Sequence, residues 1–153
     1  TMAFDVKRSL TDPVRHISMF DPALDAEHTS FSPERYMATG NEEHMPLRDG
    51  QTPSRFVIRP LSSRQYRRAH AAISKEDRVY TLVAFALVAV EGVTVNGEAV
   101  SIKRVTIDGL EMADTASLEK IYDPDLFMEL AARVEGMSRL DPTRLLGSAS
   151  TRS

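Results

Sequence analysis

Histidine is the side chain whose acid–base chemistry lies closest to neutral pH, and the four histidines of this sequence are widely spaced. They are His16, His28, His44 and His70. A helical zinc site of the usual kind needs two histidines four residues apart on one helix face, and no two of these have that spacing. We therefore interpret them as exposed or locally hydrogen-bonded side chains, and we predict no metal ion and no cofactor.

Two aspartates, Asp123 and Asp125, are the best candidates for a catalytic carboxylate pair. Pro124 lies between them, and the order Asp-Pro-Asp is typical of a helix start, with a cap, a proline at the first position and an acid in the first turn. That structural role accounts for both carboxylates. The sequence has no cysteine, no glycine-rich phosphate loop and no nucleophile elbow. It therefore predicts no catalytic residue, no small-molecule substrate and a protein that is not an enzyme.

A cluster of arginines gives the sequence its one basic stretch, and its members are Arg59, Arg64, Arg67 and Arg68. Arginines at helical spacing can follow phosphates, so a nucleic-acid-binding regulator is one interpretation. The charges around the cluster oppose it, with nine acidic and five basic residues in 1–54, two and seven in 55–78, and eleven and seven in 79–153. Acidic flanks repel phosphate, so the layout favours contacts with proteins over contacts with nucleic acid.

The elements that carry these side chains are predicted from caps and apolar spacing. Arg55–Leu61 is β-rich and closed by Pro60, which predicts an edge strand or a strand end. Ser62 or Ser63 can cap a helix that continues to Ile73, with Tyr66 and Ala69 on the same face. Ser74 and Asp77 have the spacing of a capping box, which predicts a buried helix over Arg78–Val90.

The second half of the sequence predicts a hairpin followed by two helices. Asn96-Gly97 is a strong turn signal within a hairpin spanning Gly92 to Ile107, and Asp108-Gly109 turns the chain again. Helices are expected at Ser117–Tyr122 and from Pro124, with a last turn at Asp141-Pro142. The predicted fold is an α+β domain over residues 55–146, a small helical core with a strand and a β-hairpin, followed by a polar tail at 147–153.

Residues 1–54 are predicted to form an extended, proline-rich N-terminal arm, because five of the eight prolines fall there. Short helical turns are expected at Ser9–Met19 and Ser32–Ala38. The segment is too apolar for a solvated tail, so it either straps back on its own domain or docks on a neighbouring subunit. The residues proposed for a protein interface are Phe4, Val6, Phe20, Phe31 and Tyr36 of the arm, with Arg59, Arg64, Arg67 and Arg68.

No stretch of the sequence has the length and apolarity of a membrane span. The longest apolar run, Val79–Val90, falls short of the roughly 20 residues that a helix needs to cross a bilayer. Thr1–Arg15 does not have the pattern of a secretory signal. These features predict synthesis in a cytoplasm and no membrane partner.

From Arg55 to Leu140 the sequence resembles small tail-assembly and minor structural proteins of tailed bacteriophages. The segments that carry the resemblance are Arg55–Ser62, Val90-Glu-Gly-Val93, the Asn96-Gly97 turn, Asp123–Leu130 and Met137–Leu140. The resemblance implies a structural component of the virion, in the tail, baseplate or neck, made in the host cytoplasm. Its partners are then other phage structural proteins and copies of itself in a symmetric oligomer. A transient tail-assembly chaperone that leaves the particle is the alternative.

Overall fold

A computed structural model of the chain describes residues 12–139. The strands are β1 (Val14–His16), β2 (Arg55–Ile58), β3 (Leu87–Glu91), β4 (Thr94–Val95), β5 (Glu98–Ala99), β6 (Arg104–Ile107) and β7 (Leu110–Ala113). The helices are α1 (Pro33–Thr39), α2 (Ser63–His70), α3 (Lys75–Ala86), α4 (Thr115–Ile121) and α5 (Pro124–Arg139), with a 3-10 turn at Glu42–His44. The α+β class is confirmed. The predicted last turn at Asp141-Pro142 and the tail from residue 147 lie outside the described residues.

Strand β2 is the centre of an antiparallel three-stranded sheet with the order β1-β2-β3. Val14 pairs with Ile58, and Phe56 pairs with Val90. The expectation of an edge strand is therefore wrong. Pro60 instead follows the end of β2, which is the predicted strand end. Its missing N–H is not needed for strand pairing there.

Helix α3 ends at Ala86, and the next five residues form strand β3. The prediction of one helix through Val90 is therefore wrong from Leu87 onward, where the chain pairs with β2 instead. Ser74 caps the helix as predicted, accepting a hydrogen bond from the Asp77 amide at 3.1 Å. The guanidinium of Arg104 donates from Nη1 to the carbonyls of Ala84, Phe85 and Leu87 at 2.9–3.1 Å. It thereby satisfies acceptors that the end of a helix leaves open, and burial lowers the pKa of Arg104.

Two tight hairpins replace the single long one that was predicted. Asn96-Gly97 joins β4 to β5 with φ of 52° and 82°, and Asp108-Gly109 joins β6 to β7 with φ of 53° and 78°. Positive φ at both central residues is the type I′ geometry that these dipeptides favour, so both predicted turns are confirmed. The pairing differs because β6 pairs with β7, which follows it, and not with β4.

The helix caps around the core largely follow the sequence. Ser62 is the N-cap of α2 in a full capping box with Gln65, and Ser32 caps α1 with Pro33 at its first position. Helix α2 ends at His70, so the extension to Ile73 is wrong, and Ile73 is fully exposed. Helix α4 begins after Asp114, two residues before the predicted Ser117.

The main core lies between α3, α5 and the inner face of the sheet. Its largest fully buried side chains are Ile58, Leu61, Val83, Leu87, Leu118, Phe127, Leu130 and Val134. At roughly 25 cal/mol per Å² of apolar surface removed from water, burying one such side chain contributes about 1.5–3 kcal/mol. Helices α3 and α5 pack against each other across this cluster, so α5 is fixed along its length.

A second, smaller core consists of Ile17, Leu24, Tyr36 and Met45, with Phe31 packed against it. All of these residues come from the segment predicted to be an arm. For residues 12–54 the structure has the form of the strap alternative: β1 joins the sheet, and the side chains of the second core are covered by their own chain. Because β1 pairs with β2, the predicted boundary at residue 55 does not separate two structural units here.

Candidate protein-binding surfaces

The N-terminal segment is attached to α5 by a buried polar network, here called the clamp: His16, Ser18, Glu129 and Arg133. The Glu129 carboxylate accepts hydrogen bonds from Ser18 Oγ at 2.9 Å and from the Met19 amide at 3.1 Å, and contacts His16 Nε2 at 2.5 Å. Arg133 Nη1 lies 3.0 Å from His16 Nδ1. All four clamp side chains are buried, His16 completely.

The partners of His16 determine where its proton lies. Arginine is always protonated and only donates, so Nδ1 of His16 must accept from Arg133. Nε2 then carries the hydrogen and donates to Glu129. The neutral ring therefore bridges the Glu129 carboxylate and the Arg133 guanidinium. Each buried charge has a hydrogen-bonded partner, as burial requires. Arg133 also lies over the Tyr36 ring, 5.0 Å from its centroid, which ties α1 to the same point.

The clamp contains a serine, a histidine and a carboxylate, but their hydrogen bonds are not arranged as in a catalytic triad. A catalytic serine gives its proton to a histidine, which a carboxylate then orients. Here Ser18 and His16 bind different oxygens of the same Glu129 carboxylate. The Ser18 hydroxyl donates to the carboxylate and not to the histidine, so the geometry is that of a structural cross-link.

The interpretation of the histidines as exposed or locally bonded is wrong for His16. It holds for His28, an exposed residue whose Nδ1 accepts from the amide of Ser30 at 3.1 Å. His70 is exposed at its edge, stacks on Tyr66 at 4.2 Å between ring centroids, and contacts Glu135 at 2.5 Å. This contact fixes the end of α2 against α5.

A groove of about 550 Å³ lies beside the clamp. Its surface is largely apolar, but we call it the acidic groove after the charged residues that line it. Its apolar lining includes Phe20, which is 60% exposed, with Val93 and Leu126. The charged residues that line it are all aspartates: Asp21, Asp123 and Asp125. None of the three forms an ion pair with another described residue, so the groove carries negative charge without a cationic side chain paired to it.

Each side of the groove is held by a backbone contact of an aspartate. Asp21 accepts from the amides of Ala23 and Ser54 at 2.9 and 2.8 Å, which fixes the turn after Phe20 against the start of β2. Asp123 caps α5 by accepting from the Leu126 amide at 2.9 Å. The predicted helix-starting role of Asp123 is thereby confirmed. The groove is consequently preformed, with its carboxylates in fixed positions.

Nearby arginines do not neutralise the groove, because each is paired elsewhere. Arg15 on β1 contacts Glu91 on β3 at 2.6 Å, across the sheet. Arg55 forms a two-point ion pair with Glu42 at 2.6 and 3.0 Å. This hydrogen bond lowers the pKa of Glu42 and raises the pKa of Arg55.

The predicted basic cluster forms a second surface, here called the arginine face. Arg59, Arg64, Arg67 and Arg68 are all exposed, and the last three are on α2 at the i, i+3 and i+4 positions. Arg68 contacts Asp108 at 3.4 Å in a solvent-exposed pair, which contributes little energy. The other three have no carboxylate partner among the described residues, so the face carries a net positive charge.

The two surfaces lie at opposite ends of α5. Asp123 and Asp125 are at its start, whereas α2 packs near its end, where Tyr66 Oη donates to Glu135 at 2.9 Å. The ten residues from Asp125 to Glu135 span about 15 Å of helix at 1.5 Å per residue. The aspartates of the groove and the arginines of the face therefore lie near different ends of α5.

The interface residues proposed from sequence have different positions. Phe20 and the four arginines are exposed. Phe31 is partly buried against the second core, and Tyr36 is only 1% exposed because its hydroxyl accepts from the Ile17 amide at 2.9 Å inside that core. The prediction that Tyr36 is an interface residue is therefore wrong. Phe4 and Val6 lie outside the described residues.

Sequence reasoning missed the other walls of the groove and the clamp. Val93 and Leu126 were assigned to the hairpin and to a helix face, and nothing local indicates that they meet Phe20. Asp21-Pro22 is a turn signal directly after Phe20, but a turn signal does not predict what the ring packs against.

The described part of the chain also bears on membrane and metal sites. Within residues 12–139 every helix is too short or too polar to cross a bilayer. In the same range no three histidine, aspartate or glutamate side chains come together as metal ligands.

Comparison with models of known protein families, with curated proteins and with solved structures finds no match to this chain.

Proposed function

We propose that this protein is a structural component of a tailed bacteriophage particle, in the tail, baseplate or neck, and that it acts through protein–protein contacts in a symmetric assembly. The observation that carries the proposal is the polarised pair of exposed surfaces, the acidic groove and the arginine face. Opposite charges at two ends of one rigid unit suit a protein that has a neighbour on each side.

Phe20 supports a binding role for the acidic groove. A large aromatic side chain in a preformed apolar groove, with charged groups at the rim, is the usual form of an interface hot spot. The backbone on both sides of Phe20 is fixed, by Glu129 through the Met19 amide and by Asp21 through the Ser54 amide. A partner would therefore pay little conformational entropy to use this residue.

The phage context rests on the resemblance of residues 55–140, whose segments now have places in the fold. Arg55–Ser62 contains β2 and the cap of α2, and Val90–Val93 is the end of β3 beside the acidic groove. Asp123–Leu130 starts α5 at the same groove. Three of the resembling segments thus line the surface proposed to bind, the first of them through Phe56.

Mass spectrometry of purified virions tests the proposal. Particles made from the genome that encodes the chain should contain it in a fixed ratio to the other structural proteins. A Phe20→Ser variant should be soluble in the cell but depleted from particles, whereas Leu47→Ser, which changes another exposed apolar side chain (39% exposed), should be retained. If complete particles lack the wild-type chain, it is not a virion component, and the transient assembly chaperone becomes the better proposal.

The arginine face favours a second candidate, a nucleic-acid-binding regulator. Three of its arginines are on one helix and could contact successive phosphates. Binding would then weaken steeply with salt, and the Arg64→Gln/Arg67→Gln variant would reduce the slope of log K against log salt by about two. Absence of binding to duplex DNA and to RNA at low salt would remove this candidate.

A further inference from the structure

We propose that the acidic groove of one copy binds the arginine face of a second copy, so that the chain self-associates head to tail. This inference rests on the proposed function, because it names the partner of the groove within a symmetric assembly. It commits to a second copy of this chain as the occupant.

Charge complementarity is the first argument. The three charged residues that line the groove are all aspartates without a cationic partner among the described residues. On the arginine face, Arg59, Arg64 and Arg67 likewise have no carboxylate partner there. The arginines on the neighbouring strands, Arg15 and Arg55, are already paired with glutamates. Arg64 and Arg67 on α2, with Arg59 shortly before it, thus form a group of positive charges opposite in sign to the groove.

Apolar contacts provide the second argument. Phe20 is 60% exposed in the groove, and Ile73, just beyond the end of α2, is fully exposed. A specific protein interface combines apolar contacts with a charged rim, and an exposed apolar side chain is available in the groove and close in sequence to the arginines of α2. Burying one large apolar side chain contributes energy, whereas the charges mainly select the partner and its orientation.

The position of the two surfaces determines the type of assembly. They are at opposite ends of α5, about 15 Å apart along the helix, so one copy cannot bring its own arginine face to its own groove. A contact between two different patches is heterologous, and repeating it produces a ring or an open filament. A symmetric two-fold dimer, in which each copy uses the same patch, is not expected.

Two variants isolate the surfaces. The groove variant, Phe20→Ser/Asp125→Asn, changes two exposed side chains and leaves the Asp123 cap of α5 intact. The face variant, Arg64→Gln/Arg67→Gln, changes two exposed arginines that form no ion pair with any residue of 12–139. Exposed substitutions of this kind usually alter stability by about 0.5 kcal/mol or less, so both variants should fold.

Each variant has a control with the same chemistry elsewhere. Glu27→Gln/Leu47→Ser changes an exposed carboxylate and an exposed apolar residue in a different groove. Arg35→Gln/Lys120→Gln removes two exposed positive charges from α1 and α4. Circular dichroism and urea unfolding confirm that all four proteins are folded before association is measured.

Sedimentation equilibrium over a range of protein concentrations measures association. The wild type and both controls should self-associate at low salt, and association should weaken as the Debye length falls from about 10 Å at 0.1 M to about 3 Å at 1 M salt. The groove and face variants alone should each associate at least about tenfold more weakly, a loss of about 1.4 kcal/mol. Mixed together, they should form a one-to-one dimer, because each retains the surface that the other has lost.

Several results would overturn the inference. They are a wild type that is monomeric at every concentration, a mixture of the two variants that stays monomeric, and controls that weaken association as much as the variants do. In any of these cases, a chain found in purified virions would leave the proposed function standing. Conversely, head-to-tail association without incorporation into virions would overturn the proposed function and leave the inference intact.

Discussion

Replacing Glu129 by glutamine tests the clamp, because the two side chains have the same shape but different hydrogen-bonding groups. The carboxylate accepts from His16, from Ser18 and from the Met19 amide. A carboxamide has one oxygen and one NH₂ group. If its oxygen takes the place of Oε2, it keeps His16 and the Met19 amide, and its NH₂ group faces Ser18 Oγ, whose own hydrogen then loses its acceptor. If its oxygen instead takes the place of Oε1 and keeps Ser18, its NH₂ group faces the Nε2–H of His16.

No tautomer of His16 relieves that conflict. If the hydrogen moves from Nε2 to Nδ1, the ring accepts from the carboxamide but then points Nδ1–H at Arg133, which only donates. Either arrangement leaves two buried donors facing each other. Arg133, only 7% exposed, also loses its compensating negative charge. Removing one member of a buried charged network costs about 3–5 kcal/mol, which is a large share of the 5–15 kcal/mol typical of a domain.

Urea unfolding and amide hydrogen exchange measure the effect of Glu129→Gln. We expect a lower midpoint with an unchanged m value, and loss of protection at the amides of Ile17 and Met19 before that of Val83 in the core. Glu98→Gln, an exposed carboxylate, is the control and should change stability by less than about 0.5 kcal/mol. A double-mutant cycle with His16→Leu should be non-additive by more than about 1 kcal/mol. A Glu129→Gln protein as stable as the wild type, or an additive cycle, would refute the reasoning.

Three further predictions concern the support of the fold, and each is checked by urea or thermal unfolding. Arg104→Ala should cost about 2 kcal/mol, because it leaves carbonyls at the end of α3 without a donor; an unchanged midpoint would contradict the capping role. The folded pKa of Glu42 is lowered by Arg55, so its contribution is present above the unfolded value of about 4.3 and is lost as the pH falls through the folded value. Because the Glu42 side chain is half exposed, Glu42→Gln should remove at most about 1 kcal/mol at neutral pH. It should also make the stability of the protein less dependent on pH in the acidic range. Gly136→Ala should stabilise α5 by about 0.5–1 kcal/mol, since open space surrounds this helical glycine, whereas Gly109→Ala, at φ of 78°, should destabilise by about 1 kcal/mol.

Local signals in the sequence predicted the local structure well. Ser32, Ser62 and Ser74 each cap the helix expected after them, and both Asn96-Gly97 and Asp108-Gly109 form the expected turns. These signals work because the contact that stabilises the feature is made within a few residues of it. The arginine face was predicted for the same reason, since helical spacing fixes which side chains are neighbours.

The boundary between α3 and β3 shows where local reasoning fails. Residues from Val79 to Val90 are uniformly apolar, and such a run is compatible with a buried helix or a buried strand. The decision is made by distant partners: β2 offers a pairing edge to Leu87–Glu91, and Arg104 caps the last carbonyls of the helix. Neither partner can be identified from the run itself.

The clamp could not be predicted because its members are far apart in sequence. His16 and Glu129 are separated by 113 residues, and His16 and Arg133 by 117. Nothing near His16 distinguishes it from the exposed His28. The assignment of residues 1–54 to an arm failed for the same reason: proline content correctly predicts few regular elements, but it does not predict whether the segment packs on its own chain.

The clamp holds the backbone next to Phe20, which lines the acidic groove, so a change in the clamp should affect binding at the groove. Phe20 follows Met19, whose amide donates to Glu129, and precedes Asp21, whose carboxylate accepts from the Ser54 amide. The ring is thus held between a contact to α5 and a contact to the start of β2. Glu129→Gln should therefore weaken head-to-tail association even under conditions in which the protein remains folded. Since Glu129 is buried and cannot touch a partner, such a loss would come from the position of Phe20 alone.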